Sequence, residues 1–253
     1  MTSNIIIEGK ISVKAVLRSK YRKVLTIFYD VAKLQRSRNT KKVRSLKRIL
    51  ELASTKDIKI EAVDHAWFEK NARGKTHGGM AALVSQRTYQ NPSELLESNS
   101  TIVFYLDGIE DPYNLGHTIR SLYAAGMDAI IMEQRNWLNA DSIIIKSSAG
   151  TSELMPIALV KNLESTMDSF KSNDYTIACT VKEKGQVIYQ TKLPLPLFIV
   201  IGGEKRGIKP SLLEEADLRL TIPYGREFAK SLALNSAATI IGFEILRQRS
   251  YFS

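Results

Sequence analysis

Residues 102–120 read IVFYLDGIEDPYNLGHTIR, a stretch in which an apolar strand pattern passes through a turn into a helix. The uncharged run 102–106 predicts a buried strand, and a helix is predicted over 115–125. Open α/β sheets place their ligand sites where a strand ends and a helix begins. The stretch therefore predicts a ligand-binding sheet edge. Asn114 is the expected helix N-cap and Arg120 a donor to a phosphate or hydroxyl, although both residues also fit a purely structural role.

The same alternation of strand and helix continues to the carboxyl end of the chain. Short uncharged strands that alternate with helices indicate a parallel sheet with helices on both faces. We therefore predict an α/β fold for this part. The predicted strands are 102–106, 129–132, 175–180 and 197–201, and the predicted helices are 115–125, 162–171 and 231–249.

A smaller α/β domain is predicted in front of this part. Residues 86–100 are polar, contain a proline and lack periodicity, which is typical of a linker. The predicted domains are thus 1–88 and 101–253, joined by a linker at 89–100. Within the first domain, strands are predicted at 5–7, 24–29, 58–63 and 80–84, and helices from residue 12, over 40–53 and over 66–72.

Positive charge is concentrated in the first third of the chain. Residues 1–90 contain 20 Lys and Arg against 7 Asp and Glu, whereas the rest contains 16 against 19. A basic module favours binding to RNA or another polyanion, because neutralised phosphates release their counterions. A solubilising basic face is the alternative. The residues predicted to bind RNA are Lys41, Lys42, Arg44, Lys47 and Arg48 on the helix 40–53, and Arg73 and Lys75 in the loop after the helix 66–72.

Composition argues against several other classes of protein. The single cysteine, Cys179, lies in an apolar run, so no disulfide can form within the chain and a buried thiol is expected. The three histidines lack metal-ligand spacing, and we expect no metal. No stretch approaches the roughly 18 uncharged apolar residues of a membrane helix, and residues 1–9 lack the pattern of a secretory signal. A cytoplasmic protein without a membrane partner is therefore predicted.

Two further segments carry residues suited to ligand binding. Residues 201–210, IGGEKRGIKP, form a glycine-rich loop directly after a predicted strand, but their spacing is not that of a Walker loop, so nucleotide hydrolysis is not expected. Residues 222–238, IPYGREFAKSLALNSAA, lead into a helix with small residues at its start, and Ser231 is predicted to cap it. Each segment alone also fits a structural turn or a well-packed helix.

The order and spacing of the three segments resemble those of the SpoU (TrmH-like) RNA methyltransferases. NLGHTIR is similar to the family's first motif, Asn-x-Gly-x-x-x-Arg, and GGEKRGI is similar to its second motif, a glycine-bounded loop that carries a glutamate, here Glu204. IPY followed by SLALNSAA is similar to the third motif. The resemblance implies a SPOUT-type parallel sheet with a trefoil knot at the carboxyl end, an exception to the rule that connections do not thread. It also implies an L30e-like RNA-binding domain in front and a homodimer.

The same resemblance implies methylation of a ribose 2′-hydroxyl in structured RNA, ribosomal or transfer, with S-adenosylmethionine as the methyl donor. The implied catalytic residues are Arg120, which orients the hydroxyl, Asn114, which holds the ribose or the arginine, and Glu204 beside the donor. An arginine is a poor general base because its pKa exceeds 12, so an electrostatic role is expected for Arg120. The implied donor-binding residues are Gly202, Gly203, Ile222, Ser231, Leu232 and Asn235.

This sequence departs from the family pattern in its second and third motifs. Gly203 stands where Asn or Ala is common, and Lys205-Arg206 replace a usually smaller pair. In the third motif Ala233 occupies the usual Asn position, Asn235 the usual Ser position, and the loop before Ser231 is one residue longer. Two alternatives therefore stay open: a non-catalytic RNA-binding or ribosome-assembly protein that kept the fold, and methylation of a base nitrogen.

Overall fold

The protein was analysed as a computed structural model, which describes residues 4–36, 40–72, 77–134, 140–203 and 207–251. Contacts divide the chain into two compact units. The first unit contains Met1–Thr88 and Trp137–Leu154, and the second unit contains Tyr89–Asn136 and Met155–Ser253. Residues 137–154 were predicted to lie in the second domain, but their contacts assign them to the first unit.

The regular elements follow the predicted alternation. The strands are β1 (Ile5–Glu8), β2 (Val24–Asp30), β3 (Lys59–Val63), β4 (Met80–Val84), β5 (Ile102–Leu106), β6 (Ala129–Glu133), β7 (Ile157–Val160), β8 (Thr176–Thr180), β9 (Gln186–Val187), β10 (Leu197–Ile201) and β11 (Leu218–Thr221). The helices are α1 (Lys10–Val16), α2 (Val31–Arg36), α3 (Thr40–Ser54), α4 (His65–Asn71), α5 (Pro92–Glu97), α6 (Pro112–Ala124), α7 (Asp141–Ser147), α8 (Leu163–Lys171), α9 (Pro210–Glu215) and α10 (Leu234–Tyr251). The short elements α2, α5, α7, β9 and β11 were not predicted as such.

The first unit is built on a mixed sheet in the order β1-β4-β2-β3. β4 is antiparallel to β1 and β2, and β2 is parallel to β3. Helix α3 packs on this sheet through its apolar face. Leu46 and Ile49 on that face are buried, while Arg44, Lys47 and Arg48 are exposed. The predicted amphipathic helix with a basic outer face is confirmed for these residues.

Four charged side chains, here called the buried ion cluster, lie together inside the first unit: Arg22, Arg87, Asp141 and Glu153. The Arg22 guanidinium donates from Nε to both Glu153 carboxylate oxygens at 3.1 and 3.0 Å, and its Nη2 lies 2.9 Å from Asp141 Oδ2. Arg87 Nη1 lies 3.8 Å from Glu153 Oε1. The cluster therefore fixes the segment 140–154 to strands that are distant in sequence.

The second unit is built on an entirely parallel sheet in its described residues, with the order β7-β6-β5-β10-β8-β11-β9. All residues of the neighbouring strands β5 and β10 are buried, as expected for central strands covered on both faces. Val103, Tyr105 and Phe198 share one hydrophobic core with residues of α5, α8 and α9. On the other face α10 contacts β10 and packs against α6. The predicted parallel α/β fold is confirmed.

Two predicted helix caps are wrong. Helix α6 begins at Pro112 and its N-cap is Asp111, whose Oδ1 accepts a hydrogen bond from Asn114 N at 2.7 Å. Proline is preorganised for the first helical position, so the helix starts before Asn114 and leaves this residue in the first turn. Helix α10 begins at Leu234, and Ser231 lies in the loop before it instead of capping it.

The predicted linker contains structure that belongs to the second unit. Helix α5 occupies Pro92–Glu97, and the Leu95 side chain is fully buried in the core of this unit. Gln90 also pairs with the second unit, since its N donates to Ile157 O at 3.0 Å. The polar composition of 86–100 indicated a linker, but Leu95 and Leu96 of this short helix pack on the core of the second unit.

Candidate methyl-donor site

The first two motif segments leave the parallel sheet side by side. Strands β5 and β10 are parallel neighbours with Leu106 opposite Ile201, so the loops that follow them begin at the same edge. Asp107 N donates to Ile201 O at 3.0 Å. A Cβ atom on Gly203 would lie 3.2 Å from Asp107 O, which is tight. The close approach of the two loops therefore depends on the missing side chain at position 203.

The glycine-rich loop after β10 is closed on itself and fixed to a neighbouring strand. Gly202 N donates to Thr180 Oγ1 at 3.1 Å, and Gly207 N donates to Gly203 O at 3.0 Å. Gly207 has a φ of 61°, in the left-handed region that favours glycine. The predicted catalytic residue Glu204 and the adjacent Lys205-Arg206 lie outside the described residues.

A cavity of about 360 Å³ lies where this loop meets residues 222–233, here called the cavity loop, which connects β11 to α10. The volume is within the roughly 300–1,000 Å³ of small-molecule sites. Five of the six predicted donor-binding residues line the cavity: Gly202, Gly203, Ile222, Ser231 and Leu232. The other lining residues include Thr180, Val181, Lys182, Ile201, Leu220, Tyr224 and Lys230.

The sixth predicted donor-binding residue, Asn235, is not among those that line the cavity. Its Oδ1 accepts a hydrogen bond from Ser236 N at 2.8 Å, within the first turn of α10. The carboxamide is thus used locally, by the backbone of its own helix. The structure brings together the two glycines and the cavity loop without Asn235.

The residues predicted to contact the ribose of the RNA lie on α6. Arg120 is exposed and Asn114 is half-buried, and neither side chain has a hydrogen-bond or ion-pair partner among the described residues. The two residues are six positions apart, which places them about 120° apart around the helix axis. The structure therefore does not join Asn114 to Arg120, and it leaves the Arg120 guanidinium available to a ligand.

The predicted RNA-binding residues fall into two sets. Arg44, Lys47 and Arg48 are exposed on one face of α3, at the three- and four-residue spacing of helical neighbours. The side chains of Lys41 and Lys42, and the whole of Arg73 and Lys75, lie outside the described residues. The basic face of α3 is thus described only over its central turns.

Sequence reasoning missed the cavity residues that come from β8 and the segment after it. Thr180 and Lys182 line the cavity because β8 lies next to β10 in the sheet. The rule that ligands bind at the carboxyl ends of parallel strands would have pointed to them, but it requires the strand order, which the sequence does not provide. Tyr224, at the start of the cavity loop, was quoted within the third motif but given no role.

Cysteine chemistry and metal binding are not supported by the described residues near the cavity. The Cys179 thiol in β8 is fully buried, and burial raises its pKa to about 12, so it is a poor nucleophile. Over the described ranges, no three His, Cys, Asp or Glu side chains are grouped as metal ligands. No helix in the described part of the chain is both long and apolar enough to cross a membrane.

A parallel sheet whose carboxyl edge carries a glycine-rich loop and a small-molecule cavity is typical of α/β enzymes that bind a cofactor. Residues 101–243 match the SpoU rRNA Methylase family, and residues 6–90 match the model described as RNA 2′-O ribose methyltransferase substrate binding. The chain belongs to the SpoU rRNA Methylase family. It is an S-adenosylmethionine-dependent RNA 2′-O-methyltransferase, and the predicted family, fold and activity are confirmed.

Similar proteins match over nearly the whole chain. The 23S rRNA (guanosine-2′-O-)-methyltransferase RlmB of Yersinia pestis is 31% identical over 248 residues, which cover 96% of this chain and 97% of the relative. RlmB of Haemophilus influenzae is 32% identical over 197 residues, covering 76% and 80%. The crystal structure of an AdoMet-bound rRNA methyltransferase from Sinorhizobium meliloti has the same fold, with a TM-score of 0.77, 20% identity, and coverage of 98% and 88%.

Proposed function

We propose that this enzyme methylates the ribose 2′-hydroxyl of a guanosine in large-subunit ribosomal RNA, with the methyl donor held in the 360 Å³ cavity. The observation that carries the placement of the donor is that 202–203 and the cavity loop, separated in sequence, line one cavity at the carboxyl edge of the sheet. The ribosomal substrate is supported by relatives that match along almost their full length and are named for this reaction.

The cavity suits S-adenosylmethionine in shape and chemistry. Gly202 and Gly203 line the cavity, and their small size lets the loop pack there, because a Cβ on either would press on Ile208 or Asp107. Leu220, Ile222 and Leu232 offer apolar contacts for the adenine ring, and the amine of Lys230 complements the donor's carboxylate. S-adenosylmethionine, when bound, supplies an electrophilic methyl group on its sulfonium.

The part of the site that handles the RNA ribose, which accepts the methyl group, is assigned to α6 and to the glycine-rich loop. Arg120 orients the attacking 2′-hydroxyl and stabilises the charge that develops on its oxygen, since a guanidinium retains its proton at neutral pH. Asn114 contacts the ribose. Glu204 stays a predicted catalytic residue beside the donor. The proton of the hydroxyl passes to an RNA phosphate, because the arginine cannot accept it.

We further propose how the enzyme is assembled. The basic face of α3, with Arg44, Lys47 and Arg48, binds the RNA backbone. Helices α6 and α10 form a homodimer interface, which is supported by the exposed aromatic side chains Tyr123 and Phe243 on these two packed helices. The glycine-rich loop and the cavity loop belong to a trefoil knot, and the enzyme works in the cytoplasm.

The test is transfer of labelled methyl from S-adenosylmethionine to unmodified ribosomal and transfer RNA, followed by digestion to nucleosides. We expect label in 2′-O-methylguanosine from large-subunit RNA. Label in transfer RNA would overturn the ribosomal assignment, and label in a methylated base would overturn the ribose assignment. No label in either RNA, together with no binding of S-adenosylhomocysteine, would favour the non-catalytic RNA-binding protein.

An Arg120→Ala variant separates the two halves of the site. The reaction should slow by roughly a hundredfold or more, as for removal of a group that stabilises developing charge. The dissociation constant for S-adenosylhomocysteine should stay within twofold, because Arg120 is not among the cavity-lining residues. An Arg120→Lys variant keeps the charge but loses the planar fork, so it should recover only part of the rate. Near-normal turnover of Arg120→Ala would overturn the role of Arg120.

A further inference from the structure

The cavity loop forms one wall of the donor cavity but has no regular structure. Among the described residues, none from 223 to 232 makes a hydrogen bond from backbone to backbone outside helices and strands. The loop nevertheless contributes Ile222, Tyr224, Ala229, Lys230, Ser231 and Leu232 to the cavity lining. Because a segment without backbone pairing is held only by its side-chain contacts, the shape of this wall depends on a few interactions.

Two hydrogen bonds from side chains to the backbone hold the loop. Tyr224 Oη accepts a hydrogen bond from Leu232 N at 3.0 Å and so joins the two ends of the loop. Lys182 Nζ, in the segment after β8, donates to Ala229 O at 2.9 Å. Lys182 is itself fixed, since Thr221 Oγ1 donates to Lys182 O at 2.8 Å. The loop is thus fastened to itself and to the β8 side of the cavity.

We propose that Tyr224 and Lys182 are positioning residues of the donor site, which hold the cavity loop in the shape that binds the methyl donor. This inference rests on the proposed placement of the donor in the cavity. Only a side chain with an acceptor atom at its end can take the hydrogen bond from Leu232 N, eight residues further along the chain, and the Tyr224 hydroxyl provides that acceptor.

The two hydrogen bonds made by Tyr224 and Lys182, here called the tethers, are expected to affect donor binding more than the stability of the fold. The loop carries the exposed side chain of Phe228, 52% accessible, and its contacts lie outside the main core of the second unit. Loss of one neutral or singly charged hydrogen bond then releases the loop without opening the core. A single bond of this kind corresponds to roughly a two- to tenfold change in an equilibrium constant.

The experiment measures binding of S-adenosylhomocysteine to the full chain by isothermal titration calorimetry, for wild type, Tyr224→Phe, Lys182→Met and the double variant. Tyr224→Phe removes one hydroxyl, and Lys182→Met keeps the aliphatic stem but loses the amine. Lys182→Arg is the rescue variant. Tyr189→Phe and Lys192→Met are the matched controls, because both residues are exposed and neither lines the donor cavity.

We expect each single variant to bind roughly three- to tenfold more weakly. The melting temperature of the ligand-free protein should stay within about 2 °C of wild type. In turnover, KM for S-adenosylmethionine should rise while kcat at saturating donor stays within roughly twofold of wild type. A raised KM with an unchanged kcat indicates that binding is lost and the chemical step is not affected. The controls and Lys182→Arg should stay close to wild type.

Wild-type affinity in both Tyr224→Phe and Lys182→Met would overturn the proposal and leave the donor site in place. A fall in melting temperature of more than about 5 °C, with unchanged donor KM, would likewise overturn it, since the two residues would then be purely structural. If wild type itself does not bind S-adenosylhomocysteine, the proposed donor site fails, and the tethers fail with it.

Discussion

The buried ion cluster of the first unit and the proposed donor cavity of the second unit are formed by different kinds of groups and interactions. In the cluster, the Arg22 and Glu153 side chains are each 1% exposed, and charged atoms lie about 3 Å apart. In the cavity, glycine backbone and a loop fastened by two hydrogen bonds form the walls. One site is made of fully desolvated charges, and the other is made of backbone open to a ligand.

The difference separates stability from binding. Breaking a buried ion pair leaves an uncompensated charge inside the protein, which is strongly destabilising. Altering a loop at the surface of a cavity changes the shape that a ligand meets and leaves the core intact. Substitutions in the ion cluster should therefore change the free energy of unfolding, and substitutions in the cavity should change donor affinity.

The members of the ion cluster are not equivalent. Burial alone would lower the pKa of Arg22, but the charges of Glu153 and Asp141 outweigh it and raise that pKa. Burial raises the pKa of Asp141 even though Arg22 opposes the shift. The environment thus favours a charged Arg22 and disfavours a charged Asp141. Glu153 is 1% exposed and both of its carboxylate oxygens accept from Arg22 Nε, so its contact with Arg22 is the interaction whose loss should cost most.

The largest expected effect comes from Glu153→Ala. This substitution removes the carboxylate that accepts from Arg22 Nε and leaves the guanidinium buried. The free energy of unfolding should therefore fall by about 3–5 kcal/mol. Urea denaturation followed by tryptophan fluorescence measures this, because Trp67 lies in the first unit. Asp141→Asn should destabilise less than Glu153→Ala.

The matched control is Glu164→Ala, which removes an exposed ion pair with Lys209, 3.2 Å long, in the second unit. It should change stability by less than about 1 kcal/mol. A loss below about 1 kcal/mol in Glu153→Ala as well would contradict the contrast between the two sites. Weaker binding of S-adenosylhomocysteine in the folded Glu153→Ala protein would contradict the separation of stability from binding.

A Gly202→Ala substitution tests the other half of the comparison. The added Cβ would lie 3.0 Å from Ile208 Cγ1 and 3.2 Å from Ile208 N, so the glycine-rich loop or Ile208 has to give by a few tenths of an ångström. Overpacking costs about 1–3 kcal/mol of stability, and we expect this small displacement to lie at the lower end of that range while the dissociation constant for S-adenosylhomocysteine rises about tenfold. Calorimetric titration checks the affinity, and urea denaturation checks that the loss of stability is smaller than that of Glu153→Ala.

Gly225→Ala is the control for Gly202→Ala. No heavy atom lies within 4 Å of a Cβ at position 225, and this residue does not line the cavity. Its donor affinity should equal that of wild type. Equal affinities of all three proteins would show that the backbone at position 202 does not shape the donor site.

The sequence predicted the framework of the second unit well because its signals are local. Strands β5 and β10 have the predicted bounds, since each is a run of uncharged residues ended by a turn. The α6 cap was misassigned although the decisive signal was present, because Pro112 favours Asp111 over Asn114 as the N-cap. Both residues are good caps, and only the proline distinguishes them.

The features that the sequence could not predict depend on contacts between distant residues. Nothing near Arg22 in the chain indicates that its partners are Asp141 and Glu153, and so the place of 137–154 in the first unit was missed. The Tyr224 tether has no sequence signature either, since a tyrosine in a loop is usually a surface residue. Its role becomes visible only when Leu232 N is found beside the hydroxyl.

The smallest expected effect concerns Cys179, which reports on the core beneath the cavity. Its thiol is fully buried, its Sγ lies 4.0 Å from Leu212 O, and burial raises its pKa to about 12. At pH 8 nearly all of the thiol is protonated in the folded protein, so reaction with a disulfide reagent such as DTNB should be at least about a hundredfold slower than in urea. Gly202→Ala presses on Ile208, which belongs to the same core as Cys179, but the neighbouring atoms have to give by only a few tenths of an ångström, so we expect this protection to be kept. Faster labelling of Gly202→Ala than of wild type would show that strain in the cavity reaches the core, and that binding and stability are coupled in the second unit.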